Sequence, residues 1–224
     1  MHQLISKKII IYLFVFLILV TFKNNYVTTL TLPNINSIKT LGLNLEESNK
    51  IKIIINDLDN KNIFYLKKKD LIKKMDSFQT IETFTVFKNY PSTLIIDAKM
   101  TNFLAITNID GLNYFIGSNG KLIEEYNFKN DLPFIFGNFD IKEFLKFKRL
   151  IDNSNLQYDE IINFYFYKSK RWDIETSKGY IIKLPRNNIE KSLNLFVRLV
   201  KEEEFKEKKI IDFRQQNQII FNEK

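Results

Sequence analysis

The sequence predicts an α+β fold: a single N-terminal transmembrane helix, then a strand-helix-helix-hairpin unit, then a mostly antiparallel β domain with flanking helices. Three observations lead there. An uncharged apolar run, Ile9–Phe22, lies between Lys7-Lys8 and Lys23. Next come two helical stripes and a proline hairpin, which make a small mixed unit. Beyond it, glycine turns at Asp110-Gly111 and Asn119-Gly120 separate short apolar runs, the grammar of an antiparallel sheet.

The apolar run is short for a span, but Leu4 and Ile5 extend it and the flanking lysines can carry their charges to the headgroups. A helix from Leu4 to Val27 would run roughly 36 Å, enough for a tilted crossing. Val20 to Asn24 offers no small-residue cleavage site, so an uncleaved anchor is expected. Lysines on its N-terminal side keep that end cytoplasmic and send everything after Tyr26 outward.

Composition narrows the function. The 224 residues are 45% hydrophobic and 27% charged, a globular balance, with net charge +8. That charge could attract nucleic acid, but the richness in Lys, Ile, Asn and Phe reads as general residue bias, and the topology puts DNA on the other side of the membrane. Cysteine is absent, so no disulfide framework exists. The single histidine, His2, precedes the anchor, which removes histidine-based catalysis and metal ligation from the exported part. Asp57 and Asp59 belong to a loop. Ser169-Lys170 and Ser177-Lys178 lack a nucleophile setting, and no glycine loop cradles phosphate. No cofactor, metal or small-molecule substrate is expected.

In chain order, Ile35–Leu41 reads as a strand ending at Gly42. Asn44-Leu-Glu-Glu47 is a capping box, and Ile51, Ile54, Ile55 and Leu58 form one apolar stripe behind it. A second short helix should turn Leu71, Ile72 and Met75 inward. Ile81–Phe87 and Thr93–Met100 form a hairpin about Asn89-Tyr-Pro-Ser92, where Pro91 presets φ and cannot donate to a ladder. Two helices over one face of a three-stranded sheet is the expected result.

Asn119-Gly120 is the strongest hairpin signal of the second part. Leu132–Gly137 reads as a loop. Asp140 caps a helix with Ile141, Phe144, Leu145 and Ile151 inward. Ile161–Tyr167, Arg171–Thr176 and Tyr180–Leu184 read as strands. The aromatic run Phe164–Tyr167 could stack on a ligand, but a strand packed on both faces is the better expectation. Asn187-Asn-Ile-Glu190 opens a last helix with Ile189, Leu193, Phe196, Val197 and Val200 on one face, and Lys201–Lys209 is its solvated end. The final strands are Ile210–Arg214 and Gln218–Phe221.

Several of these residues, in this order, resemble the FtsQ/DivIB family of bacterial cell-division proteins. Lys88-Asn-Tyr-Pro-Ser-Thr-Leu-Ile-Ile96 is similar to that family's basic-x-x-Pro-x-Thr-Leu hairpin. Ala105, Asn119-Gly-Lys-Leu-Ile123, Leu132-Pro133 with Gly137, Arg171-Trp172, the Leu193–Phe196 helix and Ile211-Asp-Phe-Arg214 continue the series. The Glu and Pro that the family carries before its Ala stand here as Met100 and Phe103, and Gly117 replaces an Asp.

The resemblance implies four parts: a cytoplasmic tail at 1–8, a transmembrane helix at 9–26, a POTRA domain at 27–100 and an FtsQ-type β domain at 101–224. It also implies a non-enzymatic assembly protein of the bacterial inner membrane, with periplasmic domains at the division septum. FtsB/FtsL-like bitopic proteins and other divisome components would be its partners, and through them septal peptidoglycan synthesis. The last strand would be the docking edge, involving Gln215, Asn217, Gln218, Ile219 and Phe221. Lys168, Lys170, Arg171 and Arg214 would receive acidic partner residues, with Ile211 and Phe213 facing the core and Asp212 and Arg214 facing out. Five or six ladder bonds at about 0.5–1.5 kcal/mol each, less the ordering of the partner, would be weak without such side chains. A POTRA-type docking module of an envelope assembly or secretion system, or an envelope hydrolase, would be the alternatives.

Overall fold

The structure is a computed structural model that describes residues 7–21, 33–57, 62–124, 131–205, 207–215 and 218–222. Helix α1 (Lys7–Thr21) begins with the lysine pair and continues through the apolar run, with its described side chains exposed from end to end. At 15 residues it covers only part of the expected 9–26 span, whose remainder lies outside the described residues. Among the described residues no helix is long and apolar enough to cross a membrane.

The N-terminal unit runs β1 (Ser37–Leu41), α2 (Leu45–Asn56), α3 (Lys68–Met75), β2 (Ile81–Asn89), β3 (Thr93–Met100). Its sheet has the order β1-β3-β2, with β1 parallel to β3 and β2 antiparallel to it. The N-cap half of the capping box forms: Asn44 Oδ1 accepts from Glu47 N at 2.8 Å, while the buried Glu47 carboxylate accepts from Thr80 Oγ1 at 2.9 Å. Ile51 and Ile55 from α2 and Leu71 and Met75 from α3 pack on Leu94, Ile96 and Ala98 of β3. Ile72 is exposed, contrary to the sequence reading, because Leu71 and Met75, four apart, already fill the inward face of so short a helix. Leu58 lies outside the described residues.

The C-terminal unit is one sheet of nine strands: β4 (Phe103–Ile109), β5 (Leu112–Gly117), β6 (Leu122–Glu124), β7 (Phe134–Phe136), β8 (Ile161–Tyr167), β9 (Arg171–Thr176), β10 (Ile181–Lys183), β11 (Ile210–Asp212) and β12 (Ile220–Asn222). Their order is β12-β11-β10-β9-β8-β7-β4-β5-β6. Most pairs are antiparallel; β4–β7, β7–β8 and β10–β11 are parallel. Helices α4 (Ile141–Asp152) and α5 (Ile189–Leu199) cover one face, driving Phe144, Phe147, Ile151, Leu193 and Phe196 onto Phe164, Trp172 and Ile174. Trp172 stacks on Phe147 at 4.8 Å between centroids.

Three expectations change here. Leu132–Gly137 contains a central strand, not only a loop: β7 is too short to alternate, and it exists because β4 and β8 offer ladders on both sides. Gly137 ends it at φ +108, where an added Cβ would sit 2.2 Å from Phe166 O. Strand β8 is packed on one face only. Phe164 is buried, whereas Tyr167 on the other face is 42% exposed. After α5, residues 201–204 are exposed but form a turn entering a 3-10 segment, not a helix end.

Candidate functional site

The site is built on the end of the large sheet. Ile181 N donates to Lys209 O at 2.7 Å and Phe213 N to Lys183 O at 2.9 Å, so the odd-numbered residues of β11 face β10. Ile210 and Asp212 therefore face β12, opposite Asn222 and Ile220. Alternation then turns the peptide groups of Ile219 and Phe221 to the outside of the sheet. Their side chains are half-buried against the core, while Ile220 points to the open face at 43% exposure.

On that open face the registers set Phe136, Tyr165, Asp173, Lys183, Asp212 and Ile220 side by side across β7, β8, β9, β10, β11 and β12. Apolar groups stand at both ends and alternating charges in the middle. Phe136 and Tyr165 stack at 5.2 Å, and Tyr165 donates to Glu175 at 2.7 Å. Burial and that acceptor hold the Tyr165 phenol up to about 12.

One row further along, the Arg171 guanidinium lies over the Tyr167 ring at 5.2 Å, and its Nε approaches Asp173 Oδ1 at 3.7 Å. That distance is too long for a hydrogen bond, and both atoms are buried without a hydrogen-bond partner among the described residues. Burial raises the Asp173 carboxyl above its ordinary value in spite of Arg171 and Arg214. Asp212 behaves oppositely. Burial pushes it up, but Arg214 outweighs burial and holds it low. The Arg214 Nε donates to both Asp212 oxygens at 2.7 and 2.8 Å, its second nitrogen bonds Oδ2, and its backbone N donates to Oδ1 at 2.9 Å. Beside this fork is a cavity of about 530 Å³ lined by Arg186, Phe213, Arg214 and Gln215. Arg186 Nε donates to Ser169 O at 2.8 Å, tying the cavity to the β8–β9 turn.

The family model described as "Cell division protein FtsQ/DivIB, C-terminal" matches residues 105–214. This chain carries an FtsQ/DivIB C-terminal domain. The matched segment of the FtsQ/DivIB domain opens within β4 and closes at Arg214, immediately after β11, so β12 lies beyond it. Among solved structures the chain is similar to the major extracytoplasmic domain of the trans isomer of the cell-division protein DivIB from Geobacillus stearothermophilus. Identity there is 11%, coverage is 46% of this chain and 94% of that one, and the TM-score is 0.34. No curated protein matches.

Of the residues singled out from the sequence, Lys168 and Lys170 occupy the β8–β9 turn, Arg171 opens β9 and Arg214 follows β11. Tyr167, whose phenol is raised by burial and by Asp173, with Arg214 opposing, links the two places. Gln215 and Gln218 are exposed, Ile219 and Phe221 flank Ile220, and Asn217 lies outside the described residues. Arg214 is not an idle cation, because its fork is already spent on Asp212. Lys168 is exposed, and Lys170 extends into solvent with Glu143 4.0 Å away. Asp173, Lys183 and Arg186 were missed. Alternation within β9 and β10 marks Asp173 and Lys183 as outward, opposite to Trp172, Ile174 and Ile182, but it cannot show that they and Asp212 stand in one row.

Proposed function

We propose that the chain is a non-enzymatic scaffold of the bacterial divisome. It is held in the plasma membrane by the helix around residues 9–26, with its N-terminus cytoplasmic and its POTRA-like and β domains outside, at the septum. Its work is to take up a strand of an FtsB/FtsL-like partner along β12 and so join that partner to septal wall synthesis. One observation carries this reading: β12 is the last strand of the described sheet, and the peptide groups flanking Ile220 face outward.

With only three residues in β12, strand addition supplies on the order of three ladder bonds, about 2–4 kcal/mol net. Ordering a flexible partner costs about as much. Specific side-chain contacts must supply the affinity. Lys168 and Lys170 can each add a charge-assisted contact to an acidic partner, and Ile220 with Tyr167 adds apolar area.

The test is Ile219→Pro, measured by co-purification with the co-expressed FtsB-like protein. Proline removes an outward N–H and leaves the β11–β12 pairs at Ile220 and Asn222 intact. Partner recovery should fall at least ten-fold with unchanged circular dichroism; normal recovery would move the docking surface elsewhere. Lys168→Glu with Lys170→Glu should weaken recovery several-fold and remove its salt dependence.

A further inference from the structure

The chain enters the N-terminal unit at one pole. Asn34 bridges to Asn62, and Asn36 N donates to Ser92 O at 2.9 Å, so the incoming chain, the 62–66 turn and the β2–β3 turn lie together. Ile63 and Leu66 are buried on either side of that turn and leave Phe64 and Tyr65 outside. Phe64 packs at a tilt of 34° against exposed Tyr90, 4.8 Å between ring centroids, and Tyr65 is 63% exposed. The turn is pinned: Phe64 N donates to Asn62 Oδ1 at 2.9 Å and Lys88 Nζ to Leu66 O at 2.7 Å.

Lys67, Lys68 and Lys69 follow at once, all exposed, and among the described residues none of them is ion-paired. They stand at the start of α3, the positive end of the helix dipole, where carboxylates aid folding and lysines oppose it. Folding therefore accounts neither for three exposed rings nor for three adjacent cations at the same pole.

We infer that this pole docks on an anionic phospholipid bilayer, with the rings at headgroup depth and the lysines against lipid phosphates. The occupant follows from charge and from reach, and it rests on the membrane-anchor reading above. From the end of α1 at Thr21 to Asn34 the chain can extend at most about 45 Å, so this pole is the part of the folded body tethered nearest the anchor.

Both hydrophobic cores draw their members from Ile35 onward, so a fragment from Pro33 to Lys224 keeps them whole. The experiment is sedimentation of this fragment with vesicles of equal parts phosphatidylglycerol and phosphatidylcholine, against pure phosphatidylcholine. The fragment should sediment with the mixed vesicles, less so as salt rises, and poorly with the neutral ones. Lys67→Glu, Lys68→Glu and Lys69→Glu together should lower binding at least ten-fold while leaving the melting temperature unchanged or higher, since glutamates suit that helix end. Tyr65→Ser should lower it about three-fold without changing the salt dependence. Failure to sediment with mixed vesicles, equal sedimentation with neutral ones, or a triple variant that binds normally would each overturn the inference. Carbonate extraction of the full chain tests the anchor, and Ile219→Pro tests the docking edge, so each reading fails separately.

Discussion

The large sheet has two ends that do opposite work. At the β6 end, the turn before the strand is fastened to the N-terminal unit. Asn119 Nδ2 donates to Gln79 O and Ile81 O at 2.8 and 3.0 Å, and Lys121 Nζ donates to Asp76 O and Phe78 O at 3.0 and 3.2 Å. A lysine there also meets the negative end of α3. At the β12 end, the polar groups are turned onto the strand's own face and the outer backbone is left facing away from the protein. One end spends its side chains on carbonyls of the same chain; the other keeps a ribbon of backbone presentable. The difference teaches that a sheet edge is defined by what its turns hold, not by strand length, since β6 and β12 are both three residues long.

Breaking the joining end should have the largest effect. Asn119→Ala removes two bonds to the N-terminal unit and the acceptor of Lys121 N, and should cost about 2–4 kcal/mol. Urea unfolding should then resolve the two units; a single unshifted transition would show that the clasp holds nothing. At the other end, Ile220→Pro removes an N–H that faces Asp212 and should cost about 1–3 kcal/mol. Limited proteolysis should release the last residues of this variant and spare Ile219→Pro; equal cleavage of both would refute the alternation argued above.

Smaller still is Arg214→Gln, at about 1 kcal/mol because the guanidinium is partly exposed. The depressed Asp212 stabilises the fold above the ordinary aspartate range, and that contribution is lost as pH falls through its folded value. The gap between the parent chain and Arg214→Gln should therefore narrow as pH falls below the ordinary aspartate range; a gap that does not change with pH would mean that the fork does not hold Asp212 low. The smallest effect has the opposite sign. Asp173, raised in the fold with Arg171, Lys183, Arg214 and Tyr167 about it, contributes below the ordinary range and loses that contribution as pH rises through its folded value. Asp173→Asn should gain on the parent chain as pH rises from about 4 toward neutrality; a gap that does not change with pH would mean the carboxyl is not strained.

Local chemistry was legible where one segment decides its own shape. Asn44 with Glu47 gave a helix start, Asp110-Gly111, both at positive φ, gave a hairpin, and Leu193 and Phe196 gave the buried stripe of α5. The β11–β12 edge was legible only in part. Ile211 and Phe213 face the core as alternation requires, but Asp212 is buried beneath Arg214 rather than standing out in solvent.

By itself, then, the sequence determined the element types, their order and the inward residues, because caps, turns and periodicity act over a few neighbouring positions. Tertiary structure alone decided that Phe134–Phe136 is a strand, that Asn119 and Lys121 clasp another unit, and that Asp173, Lys183 and Asp212 share a row. Each of these depends on a partner far along the chain, and no local preference specifies which distant strand or carbonyl will arrive beside a given residue.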